Sequence, residues 1–137
     1  KSPKVFVRDS GVLHNLLNIN TESDLEGNPM KGNSFEGFAI EQILQMTATN
    51  YEPYFYRTHQ GAECDLLLTS SSIPHFAIEI KYSSAPVLTK GNLISFEDLD
   101  ARYNFIITPD SDDYLISKKI RVCSLQVFIE KYINILD

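Results

Sequence analysis

"GAECDLLLTSSSIPHFAIEIKYS", residues 61–83, decides how this chain folds. It contains two apolar runs, residues 63–69 and 75–83, separated by a short Ser- and Pro-containing link of the kind that joins antiparallel strands. Successive side chains of a strand alternate between faces, so Glu79 and Lys81 point to one side of the second run and Ile78 and Ile80 to the other. By the same count Glu63 and Asp65 share one face of the first run, and Cys64 and Leu66 share the opposite one. Pairing of the two runs brings Asp65, Glu79 and Lys81 onto one surface of a sheet.

Elements can be read outward from this hairpin. On the N-terminal side, residues 53–58 form a third strand candidate, linked through the short segment 59–62. Before it, residues 34–50 place Phe35, Phe38, Ile43 and Met46 at helical spacings, with Ser34 as the expected N-cap. Residues 20–33 are polar, with two Gly and a Pro, and read as a mobile loop. Residues 4–9 read as a short strand, and residues 10–19 as a short helix capped by Ser10. On the C-terminal side the pattern predicts a helix from about Lys90, an apolar strand over 103–108 stopped by Pro109, one lysine-bearing edge strand over 114–124, and an amphipathic helix over 125–136. The resulting order is helix, three strands, helix, strand, strand, helix, preceded by a strand-helix extension. We therefore expect one α/β domain, a mixed central sheet flanked by helices, with residues 1–33 as the extension and 34–137 as the domain proper.

The chain has 137 residues, 43% of them hydrophobic and 22% charged, enough to bury a core. No apolar run approaches the ~20 residues that span a bilayer, so no membrane partner is expected. Cys64 and Cys123 form no metal-type spacing and sit in apolar runs, which suits buried thiols and a reducing cytoplasm. The net charge of −6 disfavours tight nucleic-acid binding driven by the overall field alone. The glycines and lysine of residues 20–33 are not in P-loop order, so ATP is not expected to bind here.

The acidic residues carry the chemistry. Carboxylates gathered at Asp65 and Glu79, with Glu36 or Glu41 from the preceding helix, repel one another and need a compensating cation. Hard oxygen ligands with spare water positions suit Mg²⁺ or Mn²⁺, held by Asp65 and Glu79. Lys81, two residues from a ligand on the same face, is placed to orient a water or stabilise a phosphoryl transition state. On an ordinary half-exposed strand the same Glu-x-Lys is simply an ion pair. Glu63 is either an acid supporting the site or a salt-bridge partner of Arg57 or Lys81, and Arg57 either touches phosphate or pairs with a neighbouring carboxylate. Glu41 reads as a solvated helix residue, while Arg8 and Asp9 read as a local ion pair or turn contact. His14, His59 and His75 are scattered and are not expected to bind metal. Most Tyr and Phe residues sit at core spacings, and Lys118, Lys119 and Arg121 form the one basic cluster.

An acidic residue, a variable hairpin and then Glu-x-Lys resemble the PD-(D/E)XK nuclease superfamily, whose αβββαβ core has the order read above. The resemblance implies a restriction-endonuclease-like fold with Glu36, Asp65, Glu79 and Lys81 as catalytic residues; Cys64 stands where that motif has its Pro. A wider resemblance rests on "VFVRDSGVLHNLL", "GNSFEGFAIEQIL", "YFYRTHQGAECDLLL", "IEIKYS" and "IRVCSLQVFIEKY", in that order. Together these resemble the uncharacterised C-terminal domain that follows the P-loop module of many bacterial and archaeal AAA-type ATPases. That likeness implies an upstream ATPase module, with ATP bound there, and a chain beginning at Lys1 is what an excised C-terminal domain would look like. Two functions follow as expectations. One is a metal-dependent nuclease-like phosphodiesterase acting on DNA or RNA. The alternative is a catalytically inactive nuclease-fold module for protein or nucleic-acid binding, or for homo-oligomerisation of that ATPase.

Overall fold

Three hairpin-forming strands, β1 (Glu52–Arg57), β2 (Glu63–Ser70) and β3 (Ile73–Ile80), begin the sheet as an antiparallel meander. A computed structural model describes residues 7–133. After β3 the chain crosses through helix α4 (Lys90–Leu99) and returns as β4 (Tyr103–Thr108), parallel to β3, as a crossover connection requires. The hairpin strand β5 (Tyr114–Ser117) leads to β6 (Ile120–Ser124), which lies parallel to β4 and antiparallel to β5. The sheet order is β1-β2-β3-β4-β6-β5, so β1 and β5 are the edges. This is the expected mixed α/β sheet.

The helices preceding the sheet are α1 (Ser10–Leu16), α2 (Glu22–Glu26) and α3 (Lys31–Thr47). After β6 the chain turns into α5 (Leu125–Val127) and continues as a π-helical turn, Phe128–Tyr132. Ser124 caps this last helix by accepting from the Val127 amide. Both sheet faces are covered. Ala39 and Ile43 of α3, with Phe128 of the C-terminal helix, pack on Leu66, Leu68, Phe76, Ile78 and Phe105. On the other face Phe96 of α4 packs with Leu67, Ala77, Ile106 and Val122. Phe76, Phe105 and Phe128 meet at centroid distances of 4.9 to 6.1 Å, two of the three pairs edge-on.

Several expectations are corrected. Residues 114–124 are two strands, because Lys118 and Lys119 form a turn and let Tyr114 pair with Val122. The edge is therefore β5, while β6 lies inside the sheet. Asp9, not Ser10, caps α1, its carboxylate accepting from the Val12 amide. The polar stretch 20–33 contains α2, closed by a reciprocal Thr21–Asp24 capping box. Helix α3 starts at Lys31, and Ser34 is not its cap. Ser34 is buried within the helix and its hydroxyl lies 2.6 Å from His14 Nε2, tying α1 to α3. Of the expected strand 4–9, residues 4–6 lie outside the described residues and residues 7–9 form no strand. The end of the expected C-terminal helix, 134–136, also lies outside them.

Candidate functional site

The site is built around a break in β2. Tyr54 pairs with Leu67, but Tyr56 pairs with Cys64, so two steps along β1 match three along β2. The extra residue is a β-bulge, which interrupts alternation and re-aims side chains. Leu66 accordingly joins the core with Leu68, whereas Cys64 joins the opposite core with Leu67. The expectation that Cys64 and Leu66 share a face is thus overturned.

Asp65 sits at this break. Its Oδ2 accepts the Ile80 amide at 2.9 Å, closing the β2–β3 ladder with a side chain where a regular strand would use a backbone carbonyl. The pairing of Leu66 with Ile78 and Leu67 with Ala77, carried on by one residue, sets Asp65 opposite Glu79. Glu79 lies on β3 between that pairing and β4, where it is in register with Ile106. Its Oε2 is shielded from solvent and has no hydrogen-bond partner. Burial, and next the charge of Asp65, push the Glu79 carboxyl well above the usual carboxylate range, against the pull of an Asn92 hydrogen bond and the Lys81 charge.

Lys81 follows directly after β3. Its Nζ donates to the Val87 carbonyl at 2.7 Å and to Asn92 Oδ1 at 2.6 Å. Asn92 is therefore a hinge between the two members of the Glu-x-Lys pair, and sequence reasoning missed it. It is the third residue of α4, in a capping box with Thr89: Asn92 Oδ1 accepts from the Thr89 amide, and the Thr89 hydroxyl accepts from the Asn92 amide. The spacing Thr89-x-x-Asn92 was the available clue, disguised because a capping box ordinarily has Glu or Gln at its third position.

The other expected residues are dispersed around this pair. Glu36 lies three and seven residues before Ala39 and Ile43 on α3, hence on the stripe that faces the sheet, and its Oε1 is shielded from solvent. Among the described residues no group of three or more His, Cys, Asp or Glu is arranged to hold a metal ion, so Glu36 does not form one ligand set with Asp65 and Glu79. Arg57 and Glu63, partners across β1 and β2, form an ion pair at 3.3 Å. Both are at least a third exposed, so the pair adds little stability. Glu41 is not merely solvated: the Arg8 guanidinium grips it with two 2.9 Å bonds. His75 stacks obliquely against Tyr51 at 5.6 Å. Of the basic cluster, Arg121 is bound to Asp113, which Lys131 and Tyr132 also reach. Cys64 and Cys123 are free buried thiols, each pushed up to about 12, chiefly by burial. A cavity of about 220 Å³ opens beside Asp65, between β1, β2 and Ile40 of α3.

A mixed α/β sheet covered by helices on both faces, with paired carboxylates at a bulge, is the class that the fold and site define. The chain belongs to the DUF4143 family, described as a domain of unknown function, whose profile matches residues 31–128. It is similar to Uncharacterized protein Rv2008c of Mycobacterium tuberculosis and Uncharacterized protein Mb2031c of Mycobacterium bovis, each 37% identical over 120 residues. That alignment covers 88% of this chain and 27% of each relative, so the chain spans about a quarter of their length. No solved structure matches it. Among the described residues no helix is long and apolar enough to cross a membrane.

Proposed function

We propose that this domain is a divalent-cation-dependent phosphodiesterase of the PD-(D/E)XK nuclease kind, working beside a P-loop ATPase module in longer proteins. Asp65 and Glu79 hold Mg²⁺ or Mn²⁺, and Lys81 completes the site. The observation that carries this reading is Glu79, a half-buried carboxylate with one oxygen shielded from solvent and lacking a hydrogen bond, and with a second carboxylate as its neighbour. A divalent cation between them relieves both costs at once, and two carboxylates with water filling the remaining positions is a common arrangement for Mg²⁺. The residues present therefore fit the ion. When bound, it supplies a polarised phosphoryl oxygen and a more acidic water.

The chain's own residues do the positioning. The Ile80 amide fixes Asp65, so the carboxylate does not swing when substrate arrives. Asn92 holds Glu79 and Lys81 at a set spacing from the rigid first turn of α4. Lys81 uses two of its three N–H groups on Val87 and Asn92, and the third is left for an anionic oxygen. That same tethering favours a second reading, a nuclease-fold module without catalysis, in which Lys81 is a strut for residues 82–89. The test is cleavage of labelled single-stranded and duplex DNA and RNA in Mg²⁺ and in Mn²⁺. The phosphodiesterase reading expects cleavage that falls at least 100-fold in Asp65→Ala and in Glu79→Ala; a folded domain that cuts none of these substrates supports the second reading.

A further inference from the structure

We infer that residues 83–88 are a strap that Lys81 latches shut through the Val87 carbonyl, and that an anionic phosphoryl oxygen opens it by drawing the Lys81 ammonium to itself. This deepens the phosphodiesterase reading and rests on it. The segment joins β3 to α4, and both ends are fixed. The Lys81 amide donates to the Ile107 carbonyl, Tyr82 packs edge-on against Phe35, and Thr89 caps α4. Between these ends the buried Ser111 donates its hydroxyl to the Ser84 carbonyl at 2.8 Å, and Lys81 Nζ donates to the Val87 carbonyl at 2.7 Å. Val87 itself is 73% exposed, so its carbonyl rather than its side chain holds it in place. In this closed arrangement Glu79 Oε2 is shielded from solvent and Asn92 is buried, so a neighbouring group has to give before a ligand reaches that oxygen.

Charge decides what opens the latch. Both acceptors of the Lys81 ammonium, the Val87 carbonyl and Asn92 Oδ1, are neutral. A hydrogen bond from an ammonium to an ionised oxygen is stronger than one to a neutral oxygen. A phosphoryl oxygen that meets the third N–H therefore outcompetes the Val87 carbonyl. The Ser111–Ser84 bond joins neutral groups, and an anion gains nothing by breaking it. A ligand shifts an equilibrium only by its preference for one state, and here that preference is for the freed ammonium. Ser83, Ser84 and Ala85 are small and exposed, so the strap swings without repacking them. Pro86 is buried and Leu88 packs against the core beneath α4, which closes the strap again at rest.

The experiment follows amide exchange over residues 82–89 by mass spectrometry in Mg²⁺, with thymidine 5′-monophosphate as the probe and thymidine as the control that lacks a phosphate. The Ser83 amide donates to the Lys81 carbonyl and the Ala85 amide to the Ser83 hydroxyl, so their exchange reports opening. The monophosphate should speed exchange of the strap about tenfold, the scale of one lost bond from a charged group. Thymidine should leave it unchanged, and α4 should keep its protection. Lys81→Met should exchange as fast without ligand and ignore the monophosphate, its fold verified by circular dichroism. Ser111→Ala frees Ser84 and touches neither carboxylate nor Lys81. It should lower KM for cleavage about threefold, because a larger open fraction raises apparent affinity; a permanent strut leaves KM unchanged or raises it. Strap exchange that ignores the monophosphate, an equal response to thymidine, or a KM that does not fall in Ser111→Ala would overturn the inference. Failure of the underlying reading looks different: no variant cleaves any substrate, while the monophosphate still frees the strap in wild type and not in Lys81→Met.

Discussion

Replacing Glu79 by Gln should stabilise this domain, although Glu79 is the residue most central to its proposed chemistry. The substitution keeps the side chain's shape and an oxygen to accept from Asn92, while removing an ionisable group that burial and the neighbouring Asp65 force to stay protonated. The Glu79 carboxyl is raised from 4.5 to about 8. Holding it protonated at pH 7 costs about 1.4 kcal/mol for each of some 2.5 pH units, or about 3 to 4 kcal/mol against the unfolded chain. Gln needs partners for its own amide, so the expected net gain is about 1 to 3 kcal/mol. The sign follows from proton binding. Between about pH 4.5 and 8 the folded state holds a proton that the unfolded chain has lost, so wild-type stability falls as pH rises through that window. Urea unfolding in chelator should therefore show the variant ahead at pH 7 and level with wild type near pH 4. Adding Mg²⁺ should stabilise wild type and leave Glu79→Gln nearly unchanged. A variant no more stable than wild type at pH 7, or an advantage that ignores pH, would refute the buried-carboxylate argument.

Asn92→Ala should lower stability by about 2 kcal/mol in thermal melts, since it removes one half of the α4 capping box and one of the two partners of Lys81, within a site where Asn92 is only 4% exposed. The Asp113 clasp should matter in acid. Burial raises the carboxyl there, but bonds from Lys131, Arg121 and Tyr132 together outweigh it and bring it down to about 2. Its contribution of about 2 kcal/mol is present above pH ~3.8 and is lost as pH falls toward 2, so Asp113→Asn should be less stable at pH 7 and show a flatter acid limb. Both thiols, held up at about 12 by burial, should resist a thiol reagent at pH 8 in the native state and both react in urea, as counted by absorbance.

What the sequence made legible was local and periodic. The run that ends in Ile78, Glu79 and Ile80 marks β3, and the apolar run 103–108 marks β4, because a strand inside the sheet buries successive residues on both of its faces. The Glu-x-Lys pair could be found because it interrupts such a run. The bulge at Asp65 was hidden because it is a property of pairing with β1, and nothing within residues 63–70 records where Tyr54 and Tyr56 will dock. Ser34 has the chemistry of an N-cap but spends its hydroxyl on His14, a partner twenty residues away. The Lys118–Lys119 turn lacks the Gly, Asn or Pro that usually marks one, so two strands read as a single run. Asn92 is a site residue only because α4 begins beside the end of β3. The bulge, the Ser34 bond and the role of Asn92 depend on contacts between different elements, whereas the turn is local and merely lacks its usual residues.

The central claim is that Asp65 and Glu79 form a cation site, and calorimetric titration with Mg²⁺ and Mn²⁺ tests it most directly. The account predicts one saturable site on the wild-type domain and none on the folded Asp65→Ala/Glu79→Ala double variant. No binding to the wild-type domain, or equal binding to both proteins, would contradict it.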